Sequence, residues 1–255
     1  MSVDRRRNRF RQWLRRGLTA ALVATPIVLI TGWMMFQHKP AWYRPARLDE
    51  AGRSRARNEA LAVADWISDH MAAGQPFDLV LSDRTICEWL TTLFHGWSEA
   101  RDALPRQLRD GAIGFQEEEI LIGLHGDVDG WQAILNMALT LEPSPDGREL
   151  KLSLKRVQGG FLPAPRFLLA NLIDPLLRRT KNQKKTTAAK DQRRDDVRIL
   201  TEPLRFAMRN IASINDLYAG VVIPNRFTWF NGRRPFRIDA IAVTKGQLRL
   251  RINPL

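Results

Sequence analysis

The sequence predicts an α+β protein, in which an N-terminal transmembrane helix is followed by one domain whose antiparallel sheet packs against helices. Three observations lead there. Residues 17–36, GLTAALVATPIVLITGWMMF, run for twenty positions without a charge. The middle and the end of the chain alternate apolar with polar residues between turn dipeptides. Segments of helical period precede and separate those two strand groups.

At about 1.5 Å per residue the uncharged run spans a hydrocarbon layer of about 30 Å, and Pro26 within it is tolerated in a membrane helix. Residues 1–16 form a basic tail with seven arginines, from Arg5 to Arg16, which places the N-terminus in the cytoplasm. Trp13 and Trp33 fall near the two interfaces. The run ends in bulky residues, Trp33 to Phe36, with no small-residue cleavage site, so it is expected to stay as a signal anchor in the cytoplasmic membrane. Residues 37–48, with Pro40, Trp42, Tyr43 and Pro45, read as an interfacial stalk rather than a folded unit. Residues 49–255 then form the extracytoplasmic domain.

Within it, Leu61, Ala64, Ile67 and Met71 recur at helical spacing, and Gly74 supplies a stop. Phe77–Leu81 is a short strand, after which Ser82 caps a helix with an apolar stripe of Ile86, Trp89, Leu90 and Leu93. The stretch from Ala100 to Asp110 reads as a surface connection. Ile120, Ile122 and Leu124 alternate in one strand, and Trp131, Ala133, Leu135, Met137, Leu139 and Leu141 share a face of the next, with Asp129-Gly130 as the turn. After Ser144-Pro145-Asp146-Gly147, a third strand sets Leu150, Leu152 and Leu154 against charged neighbours. The closing runs VVIPNRFTWF, RPFRIDAIAV and GQLRLRINPL read as three more strands, giving about six or seven in one sheet. Between the groups lie an apolar helix from Phe167 to Leu177, a basic insert at 178–194 and a second helix from about Val197 to Leu217.

A net charge of +13, from 40 Lys plus Arg against 27 Asp plus Glu, attracts polyanions. The basic insert lacks interleaved aromatics, and an extracytoplasmic position leaves lipid headgroups or other envelope anions as its partners, so no nucleic acid is expected. Arg178, Arg179, Lys184 and Lys185 are its candidate headgroup contacts; a solvated loop without a partner also accounts for the run. Gly159-Gly160 before an apolar helix resembles a phosphate loop only superficially, because no G-x-G-x-x-G or Walker pattern exists and Pro163 and Pro165 remove donors. The pair reads instead as a sharp strand exit into a strand-to-helix corner. His125, Asp127 and Asp129 alternate, yet a strand ending in an Asp-Gly turn explains them without a metal. Glu117 to Glu119 read as solvated turn charges, and lone Cys87 as a small buried residue. With no nucleophile elbow and no recognisable triad, neither catalysis nor a cofactor is expected.

The succession of the anchor, LSDRTICEWL, two long alternating strands, LSLKRVQGGFLPAP, an apolar helix, IPNRF and RIDAIAVTKGQLRLRI resembles the membrane-anchored YpmS-like proteins. More remotely it resembles lipid-binding domains of the TULIP kind, and the likeness covers about Leu81 to Leu255. The resemblance implies a long curved sheet folded around a helix, with an apolar groove that takes a lipid tail. The residues placed to line such a groove are Leu135, Met137, Leu139, Leu152, Phe161, Leu162 and Phe167. The expected partners are the membrane and either a lipid or an envelope protein, the second alternative being a scaffold with a fully packed core.

Overall fold

A computed structural model describes residues 21–22, 24–96, 108–128, 131–164, 211, 213–229 and 234–255. Helix α1 occupies residues 21–37, with position 23 outside that set. Residues 17–20 of the expected span also lie outside it, and among the described residues no helix is long and apolar enough to cross a membrane.

Helix α2, Glu50–Ala73, begins well before the periodic stretch that the sequence marks. Its start is set by Asp49, whose side chain accepts from the Gly52 amide at 2.7 Å, and its end by Gly74 at φ +67°. Ile67 and Met71 are buried as the period requires, but Leu61 on the same stripe is 56% exposed. Arg234 donates to the carbonyl oxygens of both Met71 and Ala72 at 3.0 Å, satisfying acceptors that a helix C-terminus leaves free. Strand β1, Phe77–Ser82, leads directly into α3, Asp83–Gly96, where the Thr85 amide donates to the Ser82 hydroxyl at 3.0 Å as the sequence indicates.

The remaining strands are β2 (Leu108–Gln116), β3 (Glu119–Val128), β4 (Trp131–Pro143), β5 (Glu149–Gly159) and β6 (Leu162–Pro163), followed after helix α4 (Ile214–Ala219) by β7 (Val221–Pro224), β8 (Phe227–Trp229), β9 (Arg234–Thr244) and β10 (Gln247–Pro254). They form two antiparallel sheets rather than the expected one. The first runs β1-β10-β9-β8; the second runs β2-β3-β4-β5-β6, with β7 also pairing to β5. VVIPNRFTWF, expected as one strand, is therefore two strands in different sheets, and the chain changes sheet at Asn225.

Asn225 is buried and holds that crossing. Its side chain donates to the carbonyls of Gly147 and Ile238 and accepts from the Ile238 amide, while its own amide donates to Arg148. Truncating it would strand several buried backbone groups, each worth about 1–3 kcal/mol when left unpaired. A second seam joins the sheets at their other end, where the Glu118 amide donates to Val243 and the Gly246 amide to Phe115. Ile67 and Met71 of α2 pack into one cluster with Phe77, Trp229, Phe236, Ile238 and Ile252 from the first sheet and Leu150, Val221 and Ile223 from the second.

Candidate apolar-ligand site

One face of the second sheet is made by rows of apolar side chains in register. Ile113, Ile122, Met137 and Val157 stand opposite one another across β2 to β5; Phe115, Ile120, Leu139 and Leu154 form the next row, and Leu124, Leu135 and Gly159 a third. A bulge in β5 between the partners of Ala138 and Leu139 keeps both Leu154 and Val157 on this face, although their spacing breaks the simple alternation. Phe115, Leu154 and Val157 are buried, whereas Ile120, Ile122, Leu124, Leu135, Met137 and Leu139 remain half-buried. Helix α4 closes one side of the face. Ile214 is wholly buried against Leu154 and Val157, with Leu135, Met137, Leu139, Leu217 and Tyr218 packed around them.

The predicted groove residues thus separate into three groups. Leu135, Met137 and Leu139 come together on this face, and Leu152 lies further along β5, opposite Leu141 and Val221. Phe161 and Leu162 sit at the β5–β6 turn, Phe161 being 51% exposed. Phe167 lies outside the described residues, together with the rest of the expected covering helix and the contacts Arg178, Arg179, Lys184 and Lys185.

The opposite face of the sheet is covered too, which the alternating pattern did not lead one to expect. On β4 it is Ile134, Asn136, Ala138 and Thr140 that are fully buried. Cross-strand register sets Ala112, Gly123 and Asn136 in one row and Gly114, Leu121 and Ala138 in the next, a surface of small side chains. Residues 37–43 lie across it, whereas the Phe36 ring packs on Gly159 of the apolar face. A methyl group built at Gly123 would stand 2.6 Å from the Tyr43 ring, and one at Gly114 2.7 Å from Trp42. The Tyr43 hydroxyl donates to the Asp110 carbonyl, and Pro40 is buried. The segment read as a stalk is thus a strap bound to the domain, because glycines on β2 and β3 leave room for its aromatic rings. Beside it Gln37, Lys39, His125, Gln132, Ala133 and Ile134 line a cavity of about 260 Å³ with walls of mixed polar and apolar character.

The Gly159-Gly160 pair, read as a strand exit, has a second role. Gly160 has φ +59°, and a Cβ there would strike the carbonyl oxygens of Met35 and Phe36 at the end of α1. The Phe161 amide donates to that Met35 carbonyl at 3.0 Å, and Asn136 Nδ2 donates to the Gly160 carbonyl at 3.0 Å. Glycines recurring inside strands were the available signal for this close approach, without any indication of what approaches.

Cys87 is buried on α3. Its thiol donates to the Ile113 carbonyl at 3.2 Å and its sulfur accepts from the Ile113 amide at 3.1 Å, so it occupies backbone groups on the outer edge of β2. Burial pushes its pKa up, which keeps the thiol protonated and unreactive. His125 lines that cavity, while the side chains of Asp127 and Asp129 lie outside the described set. Compared with known proteins, the chain matches no family model, no curated protein and no solved structure.

Proposed function

We propose that this chain is a single-pass protein of the cytoplasmic membrane whose α+β domain lies outside the cytoplasm and binds a lipid or another apolar ligand, without catalysis. The observation that carries this reading is the half-covered apolar face on β3 and β4, where six large aliphatic side chains stand together without full burial. A hydrocarbon tail laid along them removes that surface from water, at about 25 cal/mol per Å². The membrane part rests on residues 17–36 and on the exposure of Leu22, Ile27, Val28, Leu29, Ile30 and Met34 along α1, side chains that lipid would surround. Seven arginines ahead of that run support a cytoplasmic N-terminus.

The rival reading, an envelope scaffold with a packed core that docks a partner protein, is favoured by one feature, the complete burial of Ile214 against Leu154 and Val157. Uptake of a fluorescent fatty acid or phospholipid by delipidated full-length protein separates the two. Saturable uptake is expected, weakened at least tenfold by Met137→Lys, which puts a charge among half-buried aliphatics while circular dichroism shows the sheet intact. No uptake by the folded wild type would leave the scaffold reading.

A further inference from the structure

We infer that the β5–β6 turn is a membrane-contacting lip, with Phe161 seated in the headgroup and glycerol layer of the bilayer, so that an apolar ligand reaches the sheet from the membrane rather than from water. This rests on the reading of residues 17–36 as a membrane span. That run ends at Phe36, and Met35 lies in its last turn. The Phe161 amide bonds directly to the Met35 carbonyl, so the two residues lie at the same depth to within a few ångströms.

The contact is made by backbone on both sides, because Gly160 has no Cβ and any side chain there would hit the Met35 and Phe36 carbonyls. The turn therefore has a fixed place on the end of the helix. On its outer side Phe161 presents a half-exposed ring, stacked on His38 with centroids 4.1 Å apart and planes 17° from parallel. Met34 and Met35 are exposed beside it, and Trp33 precedes them in the chain. Aromatic rings with a polar neighbour, at the end of an apolar helix, match the chemistry of the bilayer interface. The apolar face begins close by, since Gly159, two residues before Phe161, pairs with Leu135 and carries the Phe36 ring packed against it.

The test uses the full chain in phosphatidylcholine nanodiscs, with single nitroxide labels at Phe161→Cys, Pro163→Cys, Val28→Cys and Pro145→Cys. Cys87, 4% exposed, is left unlabelled. Pro145 lies in the turn before β5, at the opposite end of that strand from Phe161, about 30 Å away at about 3.3 Å per residue. Collisional relaxation by oxygen against a water-soluble nickel chelate reports depth. The expected result is an oxygen-to-nickel ratio at Phe161 several-fold above that at Pro145 and below that at Val28, with the neighbouring Pro163 label tracking Phe161 should the Phe161 variant fold poorly. A Val28 label in the hydrocarbon with aqueous values at both Phe161 and Pro163 would overturn the lip while leaving the span. Aqueous values at Val28 as well would overturn both.

Discussion

At the residue scale, Tyr43 shows how a single side chain reports the docking of the strap. Burial, aided by the nearby Asp110 carboxylate, pushes its phenol up to about 12 from an ordinary value of 10. The folded state thus holds the phenolic proton more tightly than the unfolded chain does. The stabilisation from this group is complete below pH 10, falls as pH rises past 10, and is gone by about pH 12. Urea midpoints of wild type and Tyr43→Phe are expected to differ at pH 9 and to converge as pH approaches 12; a gap that stays constant would show the phenol to be solvated. None of this was legible in the sequence, where Tyr43 was one aromatic among prolines. Its partner Asp110 is 67 residues away, and only the fold brings them together. Asn225 is similar: the IPNRF string was visible, but not that its asparagine bridges Gly147 and Ile238.

At the element scale, strands whose two faces differ in polarity were read correctly. β10 sets Ile252 inward and exposes Arg249 and Arg251, and β5 buries Leu150 and Leu154 beside exposed Glu149 and Lys151. Strands bearing small residues were harder. β2, LRDGAIGFQ, went unread because Gly111 and Gly114 interrupt its alternation, and those gaps have a use: Gly114 receives Trp42. On β4 the face chosen for its size is only half-buried, while Asn136, Ala138 and Thr140 opposite it are buried more completely, on the side where Trp42 and Tyr43 pack on Gly114 and Gly123 and where β4 meets β9. The join between α1 and the β5–β6 turn gives the clearest test at this scale. Gly160→Ala adds a side chain at a left-handed position, at about 1–2 kcal/mol, and forces apart the contact with Met35 and Phe36. Amide exchange at Phe161 is expected to quicken at least tenfold in this variant while β9 and β10 keep their protection. Unchanged exchange at Phe161 would mean that the helix end does not depend on the glycine.

At the scale of the whole molecule, the α+β class and the antiparallel pairing were legible, whereas the division into two sheets was not. It depends on a change of direction at Asn225 and on the hydrogen bonds from Glu118 to Val243 and from Gly246 to Phe115, interactions that no local pattern announces. What emerges is a sheet with two unlike faces. One receives the Trp42 and Tyr43 rings of a strap continuous with the apolar helix, and the other is aliphatic and half-buried, with α4 on one side and the Phe36 ring on Gly159. Under the proposed function the two are joined: the helix fixes the domain to the bilayer and the aliphatic face receives an apolar chain. Photo-crosslinking with a diazirine-bearing phospholipid in vesicles holding the full-length protein, mapped by peptide mass spectrometry, examines that join most directly. Crosslinks should appear in α1 and also in β4 between Leu135 and Leu139, with the β4 set lost in Met137→Lys. Crosslinks confined to α1 would contradict ligand binding by the sheet.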